Sequence, residues 1–136
     1  MKLQLDIVTP EGELFTGEVD TVLIPGAVGQ MGILPNHAPL ITTLAEGPLV
    51  ARWGDEERVF AIHGGAAQVF PDAVIVLADT AERAEEIDVE RAEAARRRAE
   101  ELLGKEPPPE ERIALQNALR RSMTRLQLGR RRPRRE

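Results

Sequence analysis

Over its first half the chain alternates apolar and polar residues at short range. Leu3, Leu5 and Ile7 alternate with Gln4 and Asp6, the period-two signature of a half-buried strand. Phe15 with Val19 and then Val22-Leu23-Ile24 continue the pattern, and Pro25-Gly26 ends it in a turn. Leu40 to Leu44, Leu49 to Trp53, Val59 to Ile62, Ala67 to Phe70 and Ala73 to Leu77 read as further strands. Gly54-Asp55-Glu56 is the expected hairpin turn between two of them. Short strands with turns at this spacing predict an antiparallel sandwich or barrel. With three Phe and one Trp in the whole chain, its core must be mainly aliphatic.

From about Ala81 the period changes. Val89 to Leu103 is rich in Ala, Glu and Arg, strong helix formers. Asp88 is the expected N-cap and Gly104 the expected stop. Pro107-Pro108-Pro109 interrupts, and Glu110 starts a second helix running to about Leu128. The first helix offers a thin stripe of Ala92, Ala95, Ala99 and Leu102. The second offers Leu115, Leu119, Ser122, Met123 and Leu126. Small residues permit a close antiparallel hairpin but bury little area, so the hairpin is marginal alone and suited to movement.

Charge divides along the same line. Residues 1–86 carry 14 acids and 4 bases, whereas residues 87–136 carry 9 acids and 14 bases. Nine of the 11 glycines and six of the 10 prolines lie at or before Pro71. The expected domains are therefore residues 1–84, a β domain, and residues 85–136, a two-helix hairpin with a basic tail. No stretch is apolar enough to predict a membrane-spanning helix, so no direct membrane insertion is expected. There is no cysteine, which excludes disulfides and thiolate chemistry and fits a cytosolic address.

Catalytic and metal sites find little support. His37 and His63 stand in separate turn regions without an acidic ligand pattern and read as structural or solvent-facing. Ser122, the sole serine, sits mid-helix among arginines rather than in a nucleophile elbow. The Gly26-to-Gly32 segment has no following Lys-Ser or Lys-Thr and reads as a tight loop whose glycines take positive φ.

Pro25-Gly26-x-x-Gly29-x-Met31-Gly32-Ile33-Leu34-Pro35-x-His37-Ala38-Pro39-Leu40 resembles the signature loop of the epsilon subunits of F-type ATP synthases. The Gly64-Gly65 pair and the run from Leu77 to Asp88 carry the same resemblance, in order, through both modules. It implies a flattened β-sandwich of about ten short antiparallel strands followed by an α-helical antiparallel hairpin. It also implies a noncatalytic place in the central stalk, at the cytoplasmic face of the cell membrane, peripheral to it. The implied partners are the gamma subunit, the c-ring and, through an extended C-terminal helix, the alpha and beta subunits. Extended, that helix would inhibit ATP hydrolysis with a basic face of Arg120, Arg121 and Arg125.

Arg91 and Arg98 are seven apart on the first helix, and Arg121 and Arg125 four apart on the second, so each pair shares a face. Folding the hairpin brings four guanidiniums together, and a triphosphate neutralises them. The stretch Ile87-Asp88-x-x-Arg91-Ala92 resembles the motif by which some bacterial epsilon subunits bind ATP as a regulatory ligand. The resemblance puts Glu82 and the Ile87–Ala92 segment beside the base and the arginines at the phosphates, with no required cofactor. The plainer reading is ordinary exposed arginine in a chain with 16 of them. The run Arg130 to Arg135 is expected to meet acidic partner segments rather than nucleic acid, since no aromatics interleave it. A free-standing ATP-sensing module outside a rotary complex is the alternative function.

Overall fold

The computed structural model describes residues 1–130, in two compact units that divide between Arg83 and Ala84. The basic tail expected at residues 131–136 lies outside the described residues.

The first unit has eight strands, β1 (Leu3–Thr9), β2 (Gly12–Val19), β3 (Thr21–Gly26), β4 (Gly29–Ile33), β5 (Leu40–Trp53), β6 (Glu56–Val69), β7 (Ala73–Ala78) and β8 (Ala81–Arg83). They run in the order β2-β1-β7-β6-β5-β3-β4, with β8 beside β6. Two of the strands, β5 and β6, are longer than expected because each absorbs two of the predicted segments. Their pairing runs from Leu40↔Val69 through Glu46↔His63 to Trp53↔Glu56. Gly47, Gly64 and Gly65 take positive φ within them, so the strands bend without ending.

The bend makes the sandwich. The first half of β5 and second half of β6 join β7, β1 and β2, whereas the other halves join β3, β4 and β8. Strands that switch layers at a bend form the corners of such packings. The β1–β7 pair is parallel, the exception among antiparallel neighbours. Between the layers lie Leu3, Leu5, Ile7, Ile24, Leu49, Phe60, Ile62, Val74 and Val76, the aliphatic core that the sequence calls for. Phe60 is its aromatic member, and Phe15 bridges it to Trp53 at centroid distances of 5.6 and 5.9 Å.

The glycine-rich segment is a strand hairpin, not a loop. β3 and β4 pair from Val22↔Ile33 to Gly26↔Gly29. Of its three glycines only Gly29 takes positive φ. Gly26 is required for space, since a Cβ there would stand 2.8 Å from the Gly29 carbonyl oxygen.

In the second unit a 3-10 turn (Ala84–Glu86) precedes α1 (Val89–Leu103) and α2 (Pro109–Arg130). Asp88 caps α1, its Oδ1 accepting from the Arg91 N–H at 3.0 Å. Gly104 does end the helix, but in right-handed conformation, and Glu106 supplies the left-handed turn. Pro109 opens α2, where its missing N–H costs nothing.

Candidate functional site

The helices bury narrower stripes than their sequences predict. On α1, Ala92 and Ala99 are buried and Leu102 half-buried, whereas Ala95 is exposed. On α2, Ser122, Leu126, Leu128 and Gly129 are buried, with Leu115 and Leu119 half-buried. Met123 lies off the stripe at 55% exposure. The Ser122 hydroxyl is satisfied within α2, donating to the Ala118 carbonyl at 3.0 Å.

Gly129 sets the register of the hairpin. A Cβ there would stand 2.8 Å from Val89 Cγ2 and 3.1 Å from Ile87 Cγ2, so the end of α2 lies against the start of α1. Descending both helices at about 1.5 Å per residue, Arg125 falls opposite the turn from Val89 to Glu93. Arg121 falls opposite the turn from Glu93 to Arg97.

Each of the four arginines directly precedes a buried residue: Arg91 before Ala92, Arg98 before Ala99, Arg121 before Ser122 and Arg125 before Leu126. One residue is a rotation of about 100°, so each arginine stands on the same rotational side of its helix's buried stripe. In an antiparallel pair those two sides coincide. The fold thus carries all four guanidinium-bearing residues on one flank of the hairpin, with Arg91 and Arg98 exposed and Arg121 and Arg125 half-buried. Arg120 is exposed and turned away from this flank, about half a turn from the buried stripe.

The opposite flank of α1 is ion-paired. Glu93 and Glu100 follow the same two buried alanines and hold Arg96 between them, with Arg96 Nη1 2.7 Å from Glu100 and Nη2 bonded to Glu93. Both carboxylates raise the Arg96 guanidinium pKa further above its ordinary value. Arg97 also lies toward Glu93, at 3.5 Å. Sequence reasoning did not separate Arg96 and Arg97 from Arg91 and Arg98; the i,i+3 and i,i+4 spacings to Glu93 and Glu100 are the signal that does.

The other predicted site residues are distributed as follows. Ile87 and Ala92 are buried in the helical unit, Ile87 against Gly129. Asp88 is exposed at the cap. Replacing it with Ala should lower the helical unit's stability by about 1 kcal/mol, read as loss of helical circular dichroism at lower temperature. Glu82 belongs to β8 of the sandwich, with its Oε1 3.9 Å from His63 Nε2. His63 is buried, and its Nδ1 lies 2.7 Å from Glu46 Oε2. The histidine is therefore structural as expected, but its acidic surroundings come from β5 and β8 and are invisible in the linear chain. Among the described residues no group of three or more His, Asp or Glu is arranged to hold a metal ion.

The outer face of the sandwich unit mixes polar and apolar positions. Across β5, β6, β7 and β1 one row reads Ile41, Gln68, Ile75 and Asp6, and the next Thr43, Ala66, Leu77 and Val8. Two of its large apolar side chains are well exposed, Ile41 at 76% and Leu77 at 56%.

Comparison with known proteins agrees with both units. The family model "ATP synthase, Delta/Epsilon chain, beta-sandwich domain" matches residues 2–84, and "ATP synthase, Delta/Epsilon chain, long alpha-helix domain" matches residues 85–128. An ATP synthase epsilon chain of Dehalococcoides mccartyi is 50% identical over 132 residues, covering 96% of this chain and 94% of the relative. One from Moorella thermoacetica is 49% identical over 126 residues, 91% of this chain and 93% of that one. Among solved structures, a chain of the Euglena gracilis mitochondrial ATP synthase OSCP/F1/c-ring assembly superposes with a TM-score of 0.81 at 25% identity. That match covers 90% of this chain and 78% of the other.

Proposed function

The chain belongs to the ATP synthase delta/epsilon chain family, and on that premise we propose that it is a noncatalytic stalk subunit whose hairpin senses ATP. The sandwich holds the gamma subunit to the c-ring. The exposed Ile41 and Leu77 on its outer face support this role, because large apolar side chains left in water gain from burial against a partner. No helix among the described residues is long and apolar enough to cross a membrane. On the family reading the subunit sits peripherally, at the cytoplasmic face of the cell membrane, through its partners.

The hairpin is the regulatory part. Compact, it permits ATP hydrolysis by the catalytic head; extended among the alpha and beta subunits, it inhibits through Arg120, Arg121 and Arg125. ATP favours the compact state, and the observation that carries this reading is the common flank of Arg91, Arg98, Arg121 and Arg125. A triphosphate on that flank bridges the two helices through charge-assisted hydrogen bonds. A ligand shifts an equilibrium toward the state it prefers. At ligand concentrations about 100-fold above Kd the shift is worth about 2.7 kcal/mol, large beside a short hairpin's own stability. Ile87, Asp88 and Ala92 shape the start of α1, where the base would lie.

Titration calorimetry tests the reading. Wild type should bind ATP more tightly than ADP, and binding should not need magnesium. Arg91→Ala and Arg121→Ala should each weaken it by about tenfold or more, the worth of one hydrogen bond to a charged group. Arg97→Ala, on the other side of α1, should bind as wild type does. No binding at millimolar ATP, or equal effects of all three substitutions, defeats the assignment.

A further inference from the structure

Ala95 departs from the packing that its spacing predicts, and its place explains why. It lies three residues after Ala92 and four before Ala99, yet both of those are buried and Ala95 is exposed. On α1 it stands between Arg91, four residues before, and Arg98, three residues after, on the same flank. Across the hairpin, the register set by Gly129 puts it opposite the interval between Arg121 and Arg125. Arginines thus surround Ala95 along its own helix and across the interface, and its side chain is a single methyl.

We infer that Ala95 is the specificity-determining floor of the polyphosphate site, the position whose small side chain leaves room for a charge-dense anion among four arginines. The inference rests on the nucleotide reading above and adds the residue that sets the available space. A longer side chain here would occupy the volume that phosphate oxygens need. A carboxylate would do more, supplying from within the chain the negative charge that the ligand supplies from outside. Ala95→Glu should therefore imitate the bound state: a hairpin held compact without nucleotide, and no longer responsive to it. The adjacent exposed alanine does not offer this. Ala94 lies on the far side of α1 from the buried stripe, toward solvent.

The test compares full-length Ala95→Glu with Ala95→Gln, which match in size and differ in charge. Helix unfolding is followed by circular dichroism at 222 nm at low salt without nucleotide. The Glu variant should unfold about 5 °C above the Gln variant, with the gap narrowing at high salt. Part of any gap comes from Arg91 and Arg98 along α1 itself. The comparison is therefore repeated with Arg121→Gln and Arg125→Gln in place, where the gap should fall to about half or less. Both position-95 variants should lose the ATP-dependent rise in unfolding temperature expected of wild type. Equal unfolding of the Glu and Gln variants, or a gap indifferent to the α2 arginines, overturns the placement of Ala95. So does wild-type ATP protection in both variants. If wild type shows no ATP protection while the Glu–Gln gap depends on the α2 arginines, the arginine cluster around Ala95 stands and the nucleotide reading falls.

Discussion

Replacing Gly65 with alanine is expected to unfold the sandwich, or to leave it too unstable to purify as a folded domain. Gly65 holds φ +127 at the bend of β6, and a Cβ there would stand 2.2 Å from the Leu77 carbonyl oxygen and 2.8 Å from Ala78 Cα. Both atoms are backbone of the paired strand β7, so no side chain can swing aside. Relief requires breaking the Gly65↔Ala78 pairing that leads the chain from one layer to the other. Backbone strain plus a lost corner should cost about 3–5 kcal/mol, a large part of the 5–15 kcal/mol of an ordinary domain. Gly54→Ala is the matched control. Gly54 also has positive φ, at +56, but an added Cβ meets nothing within 4 Å. It should cost only about 1–2 kcal/mol, the ordinary price of a left-handed residue. Urea unfolding followed by the fluorescence of Trp53, which packs against Phe15, distinguishes the two. Similar midpoints would contradict the bend as the element that closes the sandwich.

The largest functional effect should follow removal of residues 87–136. In a reconstituted ATP synthase the truncated chain should still co-purify with gamma, because the sandwich core is built from residues between Leu3 and Ala81. ATP hydrolysis should rise roughly severalfold if the hairpin is the brake proposed above. Arg120→Ala, Arg121→Ala and Arg125→Ala together should reproduce much of this rise in the full-length chain, through lost pairing with acidic partner segments. Their effect should shrink as salt screens exposed contacts. Loss of gamma by the truncated chain would refute the modular division of labour. Full inhibition by the triple variant would refute an electrostatic brake and leave shape as its basis.

Much of the fold is legible in local sequence. The alternation of Leu3, Leu5 and Ile7 with polar neighbours puts three side chains in the core, because successive residues of a strand face opposite ways. Asp88 marks the start of α1, and the proline run separates the helices, because caps and missing N–H groups act within a few residues. The spacing of Arg91 to Arg98 and of Arg121 to Arg125 likewise predicts a shared face on each helix.

What lies beyond reach of the sequence depends on partners distant in the chain. Glycines that read locally as strand ends become bends inside β5 and β6, because hydrogen bonding to neighbouring strands carries the ladder through them. The segment Gly29–Ile33 becomes a strand for the same reason, with β3 supplying its pairing. His63 acquires Glu46 and Glu82 only when β5 and β8 pair with β6. The candidate site shows the same division. Residue spacing sets which arginines share a helix face. That the two faces meet on one flank and that Met123 is left outside depend on which stripe each helix buries, and the level at which Ala95 meets α2 depends on the register that Gly129 keeps against Ile87 and Val89. Local periodicity determines the direction of each side chain about its own axis; only the packing of one helix on the other determines how one axis is turned toward the other.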